Sequence, residues 1–78
     1  MLTRSQTLEH LRLAESNGPI YAEHHDLKAL QELQVSVVRL CKPFQHDPVV
    51  VKRGGQILSG LMRLHGRALV RFQRWLHA

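Results

Sequence analysis

Apolar positions along this chain change period twice, and the changes divide it into segments. From about Ser5 to Asn17, Leu8, Leu11 and Ala14 recur at three- and four-residue steps, with Leu13 widening the stripe. That spacing predicts a helix. Thr3 and Gln6 stand before it at capping-box spacing. Asn17-Gly18-Pro19 predicts its end, because glycine takes the left-handed C-cap conformation and proline cannot continue a helix. A short extended piece, Pro19-Ile20-Tyr21, follows. Leu27, Leu30 and Leu33 then predict a second helix from about Ala22 to Gln34, acidic through Glu23, Asp26 and Glu32.

The period then shortens. Val35-Ser36-Val37-Val38-Arg39-Leu40-Cys41 is β-branched and roughly alternating, which predicts a strand. Lys42 to Pro48 reads as a loop bounded by Pro43 and Pro48, and Val49-Val50-Val51 as a second short strand. The two strands are expected to pair as an antiparallel hairpin with a long tip. Arg53-Gly54-Gly55 breaks the second strand and opens a last helix over about 55–77. On a wheel at roughly 100° per residue, Ile57, Leu58, Leu61, Leu64, Ala68, Leu69, Phe72, Trp75 and Leu76 fall on one broad arc. Arg63, Arg67, Arg71 and Arg74 fall together on the other side. His65 points into the apolar arc. Gly60 and Gly66 each weaken the helix by about 1 kcal/mol relative to alanine, and a bend at Gly66 is compatible with the pattern.

Charge adds a direction. Eleven Lys and Arg stand against six Asp and Glu, a formal charge of +5 with histidine neutral. Beyond Asp47 there is no acidic residue, while Lys52, Arg53, Arg63, Arg67, Arg71 and Arg74 all lie there. Such a half is drawn to polyanions, nucleic acid first and an acidic protein face second.

Length supports one domain over residues 1–78 with a modest core. Cys41 is the single cysteine, so no disulfide within the chain can supplement that core. The polar start, Met-Leu-Thr-Arg-Ser-Gln, has no secretion-signal pattern, and no apolar run approaches the roughly 20 residues that span a bilayer. A cytoplasmic location is the expectation.

Catalytic and metal chemistry find little support. Gly54-Gly55-Gln56-Ile57-Leu58-Ser59-Gly60 lacks the lysine and Ser/Thr of a phosphate loop. His24-His25-Asp26 is the only dense cluster of metal-ligand residue types. Neighbouring histidines on a helix point about 100° apart, whereas a shared ion needs one face. Cys41 sits in an apolar segment, where a thiol is usually inert. Ser36 and Ser59 have no nucleophile motif around them. No enzyme activity, metal or cofactor is expected.

Leu27-Lys28-Ala29-Leu30-Gln31-Glu32-Leu33 followed by Val37-Val38-Arg39-Leu40 resembles the late helix and first wing strand of a winged-helix DNA-binding domain. Val49-Val50-Val51-Lys52-Arg53-Gly54-Gly55 resembles the second wing strand and the turn into a closing helix. The resemblance covers about Ile20 to Leu61 and implies an α+β fold: a small winged-helix-like domain of three helices with a β-hairpin and a long C-terminal amphipathic helix. It implies a small basic nucleic-acid-binding protein, a dimeric transcriptional regulator or DNA-binding accessory factor. Lys42, Lys52 and Arg53 on the wing, with Arg63, Arg67, Arg71 and Arg74 on the last helix, would contact the phosphates of double-stranded DNA. The alternative is a protein-protein adaptor whose basic helix docks an acidic partner. A membrane-surface role is not expected, because the domain needs the same apolar face for its core. That face is longer than so small a core can cover, so Leu61, Leu69, Phe72, Trp75 and Leu76 are expected to make a homodimer.

Overall fold

The first helix begins where its cap predicts. In a computed structural model that describes residues 1–77, Thr3 Oγ1 accepts the Gln6 N–H at 3.2 Å. Gln6 Oε1 in turn accepts the Thr3 N–H at 2.9 Å. Helix α1 spans Arg4–Glu23 and does not stop at Asn17. Its buried residues, Thr7, Leu11, Ala14, Gly18 and Ala22, form one stripe that continues through the expected stop. A proline inside a helix costs about 3 kcal/mol. The burial of Gly18 against the third helix shows what offsets it: a Cβ there would lie 2.5 Å from Leu61 Cδ2 and 3.3 Å from Leu64 Cδ1. The glycine read as a C-cap is instead the point of closest helix approach.

His24-His25-Asp26 forms the turn, with His25 in the left-handed region at φ 56°. Asp26 caps helix α2, Leu27–Cys41, by accepting the Ala29 N–H at 3.0 Å. The segment Val35–Cys41, expected to be a strand, is helical throughout. Its apolar residues fit both periods, but only the helical one continues Leu30 and Leu33 into Val37, Leu40 and Cys41 against the rest of the protein. Lys42–Phe44 is a single 3-10 turn.

The remaining expected strand, Val49–Val51, is the first turn of helix α3, Pro48–His77. Asp47 Oδ1 accepts the N–H groups of Val49 and Val50 at 3.0 and 3.3 Å, and Pro48 occupies the first helical position, where its missing N–H is harmless. Among the described residues there is no β-strand, so the hairpin, the α+β class and the winged-helix resemblance are all overturned. The fold is an all-helical, three-helix arrangement in which every helix packs on the other two. Helix α3 is unbroken at Gly54, Gly55 and Gly66.

Asp47 also sets the direction of the bundle. Arg4 Nε donates to Asp47 Oδ2 at 2.6 Å, which ties the start of α1 to the start of α3. Helices α1 and α3 therefore run the same way and α2 runs back between them. Leu11, Ala14, Val37, Val50, Ile57 and Leu61 form the larger core cluster, and Ala22, Leu30 and Ala68 close the far end.

The Arg4 hydrogen bond, helped by the Val50 and Val49 amides, holds the Asp47 carboxyl below its ordinary value. A carboxylate depressed in the folded state contributes stability above its unfolded pKa of about 3.9 and loses it as pH falls through the lower folded value. Asp47→Ala is therefore expected to lower the thermal midpoint at neutral pH. It should also flatten the acid side of the stability curve, which melts followed by circular dichroism between pH 6 and 2 would record. A variant melting with an unchanged acid limb would show that neither the cap nor the ion pair matters.

A second expectation concerns Gly60 and Gly66. Nothing lies within 4 Å of a Cβ built at either position, and both sit inside α3. Alanine at each should stabilise the protein by about 0.5–1 kcal/mol, because glycine loses more backbone freedom on folding. In a domain of this size that corresponds to a rise in Tm of roughly 4–8 °C per kcal/mol. A fall in Tm for both variants would refute a straight, open helix at these positions.

Candidate anion-binding face

Helix α3 is longer than the bundle it belongs to. At 1.5 Å per residue its 30 residues run about 45 Å, against about 30 Å for α1 and about 22 Å for α2. The molecule is accordingly 47 Å long and 16 by 15 Å across. Past Ala68 the partners run out, and every residue from Leu69 to Leu76 is exposed.

Arg63, Arg67, Arg71 and Arg74 follow one another at four-, four- and three-residue steps, so they lie on one side of this helix over about 16 Å. All four are exposed, and with Gly66 and Val70 they line a shallow, open depression. The ion pairs among the described residues are Arg4–Asp47, Arg12–Glu9 and Arg53–Glu15, and none engages this row. Arg71 and Arg74 lie in the last two turns, where a cation complements the helix dipole. Arg63 and Arg67 are too far from that end for the dipole to explain them.

The other basic residues expected to contact phosphate are separated by the fold. Lys52 is exposed on the same side of α3, about 16 Å below Arg63 along the axis. Arg53 is held by Glu15 of α1, with Nη2 donating to Oε1 at 2.7 Å. Lys42 stands on the 3-10 turn and lines an apolar groove between α2 and α3, away from the arginines. With no wing, Lys42, Lys52 and Arg53 do not act as a unit.

The residues expected to self-associate also divide. Leu61 is 2% exposed and belongs to the chain's own core. Leu69, Phe72, Trp75 and Leu76 stay exposed on the overhang, with Trp75 at 72%. The Phe72 and Trp75 rings stack with centroids 6.0 Å apart and planes 30° apart, beside His25 of the α1–α2 turn.

The remaining chemistry is spread out. Among the described residues no three His, Cys, Asp or Glu side chains converge on one point, and His24 and His25 are exposed. His65 is half-buried, its Nδ1 3.0 Å from Gln34 Nε2. Cys41 is also half-buried, beside Gly54, and desolvation pushes its thiol up, so less of the nucleophilic thiolate is present at neutral pH.

The groove beside Lys42 is the feature that sequence reading misses. Reading Val35–Cys41 and Val49–Val51 as strands conceals that Val38 and Val51 face outward from two adjacent helices. A helical wheel continued back to Val49 would have found it. No family model, no curated protein and no solved structure matches this chain. No helix among the described residues is long and apolar enough to cross a membrane.

Proposed function

We propose that this protein is a non-enzymatic, cytoplasmic binding module that holds the phosphate backbone of nucleic acid against the arginine side of α3. One observation carries the reading: four exposed arginines in a row, with no carboxylate anywhere on their helix. Like charges at such steps oppose helix formation by a few tenths of a kcal/mol per pair. An anionic partner gives that arrangement a purpose. The planar guanidinium fork suits phosphate better than a lysine would.

The row's length of about 16 Å matches roughly five base steps of one strand at 3.4 Å each. Backbone contacts of this kind carry no sequence information. The role that fits is therefore an accessory or regulatory DNA-binding factor of low intrinsic specificity.

Titration of random double-stranded DNA at rising salt tests the proposal. Four neutralised phosphates predict a slope of about −3.6 in log K against log salt, on the order of a 100-fold loss between 50 and 200 mM. Absence of binding at the lowest salt would reject it in favour of an acidic protein partner. The exposed Trp75 beside Arg71 and Arg74 suits such a partner, since tryptophan and arginine dominate protein interfaces.

A further inference from the structure

Two features of α3 are left largely uncovered by the other described residues. One is the aromatic overhang, Leu69 to Leu76. The other is an open groove of about 340 Å³ between α2 and α3, with Val37, Val38, Val51, Gly54, Gly55 and Leu58 among the residues that line it. Of all the residues lining the groove, only Lys42 is charged.

The same helix stripe runs through both. Val51, Gly55, Leu58, Met62, His65, Leu69, Phe72 and Leu76 recur at alternating steps of four and three, without interruption. That is the spacing of a seam between two helices. Lipid requires no such register, and the chain's own core uses a different stripe: Val50, Ile57, Leu61 and Ala68, about 90° away around α3. Val51, Met62, Leu69, Phe72 and Leu76 are each between 37% and 57% exposed.

We propose that a second copy of this chain covers this seam, with the two α3 helices antiparallel and each overhang seated in the other copy's groove. The antiparallel register is the one that fills both vacancies. It sets Leu76 against the second copy's Val51, Phe72 against Gly55, Leu69 against Leu58 and His65 against Met62. The bulkiest side chain of the seam thus meets the glycine that leaves the groove open. Groove and overhang also match in length, since Val51 to Leu58 and Leu69 to Leu76 each cover seven steps, about 10 Å.

The charges agree with this occupant. The arginine row lies on the side of α3 opposite the seam, so the two rows would face outward and remain free for an anion. Ser59, Gly66 and Gln73 flank the seam on that side and carry no charge, and Lys52 is the single cation there. Val38 of α2, which lines the groove and is 53% exposed, adds to the surface. The exposed parts of these six apolar side chains, Val51, Met62, Leu69, Phe72 and Leu76 of α3 with Val38, come to on the order of 500 Å² per copy, about the 1,000 Å² in total that a specific interface must reach. The contact is isologous and closes on itself as a two-fold dimer. It does not rest on nucleic-acid binding, and its test contains no nucleic acid.

Sedimentation equilibrium of the full chain at about 10–100 μM is expected to show a dimer. Gly55→Arg places a long cation at the groove where the second copy's Phe72 would sit, and its Cβ is accommodated because no atom lies within 4 Å of that position. It should weaken dimerisation at least tenfold and leave helix content unchanged. Gly60→Arg is equally open in its own chain but points toward the arginine side, and it should remain dimeric.

A second measurement reads the register. In a Cys41→Ala background, a chain carrying Val51→Cys mixed with a chain carrying Leu76→Cys should form a disulfide-linked dimer on oxidation. Leu76→Cys alone should not. A monomer at 100 μM, a dimer indifferent to Gly55→Arg, failure of the mixed pair to link, or efficient self-linking of Leu76→Cys would each overturn the proposal. A monomer that partitions onto anionic vesicles with a blue shift of Trp75 emission would assign the seam to lipid instead, and would overturn it equally.

Discussion

Arg67→Glu combined with Arg71→Glu is expected to abolish binding to double-stranded DNA while leaving the fold intact. The two side chains are adjacent members of the exposed row, and among the described residues neither enters an ion pair. Reversing both removes two phosphate contacts and sets two repulsive charges between Arg63 and Arg74. If each contact contributes a salt slope of about −0.9, their loss alone halves the slope to about −1.8, and repulsion reduces the remaining affinity further.

The structural cost of that double substitution is small. Breaking the like-charge row returns a few tenths of a kcal/mol per pair. A glutamate near the C-terminal end of a helix costs about 0.3–1 kcal/mol through the dipole. Far-ultraviolet circular dichroism should thus match the parent. Lys28→Glu, an exposed charge on α2, is the control and should keep most of the affinity. If the double variant binds DNA as tightly as the parent at low salt, the row is only a solvated face and the proposed function falls.

Leu61→Ala has the largest expected effect on stability. Leu61 sits where α1 and α3 come closest, against Gly18, and is part of the larger core cluster. Removing a buried leucine side chain typically costs 2.7–5 kcal/mol, the more so when the neighbours cannot collapse into the space. Relaxation here is restricted, because Gly18 has no side chain to move in. A domain this small is only about 5 kcal/mol stable or somewhat more. Leu61→Ala should therefore lower the urea midpoint by about half or more, or leave the chain largely unfolded. Leu69→Ala, on the exposed overhang, should change the unfolding free energy by under about 0.5 kcal/mol at concentrations where the chain is monomeric. Equal effects of the two substitutions would contradict the division of α3 into a core-facing stripe and an uncovered end.

How much of this was legible beforehand differs between segments. The start of α1 was readable because its cap acts across three residues and needs no other part of the chain. The start of α3 carried an equally local signal, Asp47-Pro48. It was obscured by Val49-Val50-Val51, whose β-branching favours strands when half-buried on a sheet. The same competition misplaced Val35–Cys41. Gly18-Pro19 differs for the opposite reason: its local signal disfavours a helix, and packing against Leu61 and Leu64 overrides it. For the anion-binding face, the arginine row was visible in the sequence, since it needs only the helical repeat of one segment. The separation of Lys42 and Arg53 from that row was not, because it depends on the absent hairpin and on Glu15 of another helix.

The sequence by itself determined the local events: the capping box at Thr3 and Gln6, the long amphipathic last helix, the opposition of its arginines to its apolar stripe, and the basic excess of the second half. Each arises from groups within a turn or two of one another, so residue order alone specifies it. The tertiary structure decided the rest. It carried α1 through Pro19, turned two valine-rich segments into helix, and divided one apolar arc of α3 into core and exposed overhang. Each of those outcomes depends on what another helix buries. Leu61 and Ala68 lie on the side of α3 that α1 and α2 cover, whereas Leu69 lies about 80° around the helix and past the point where those partners end.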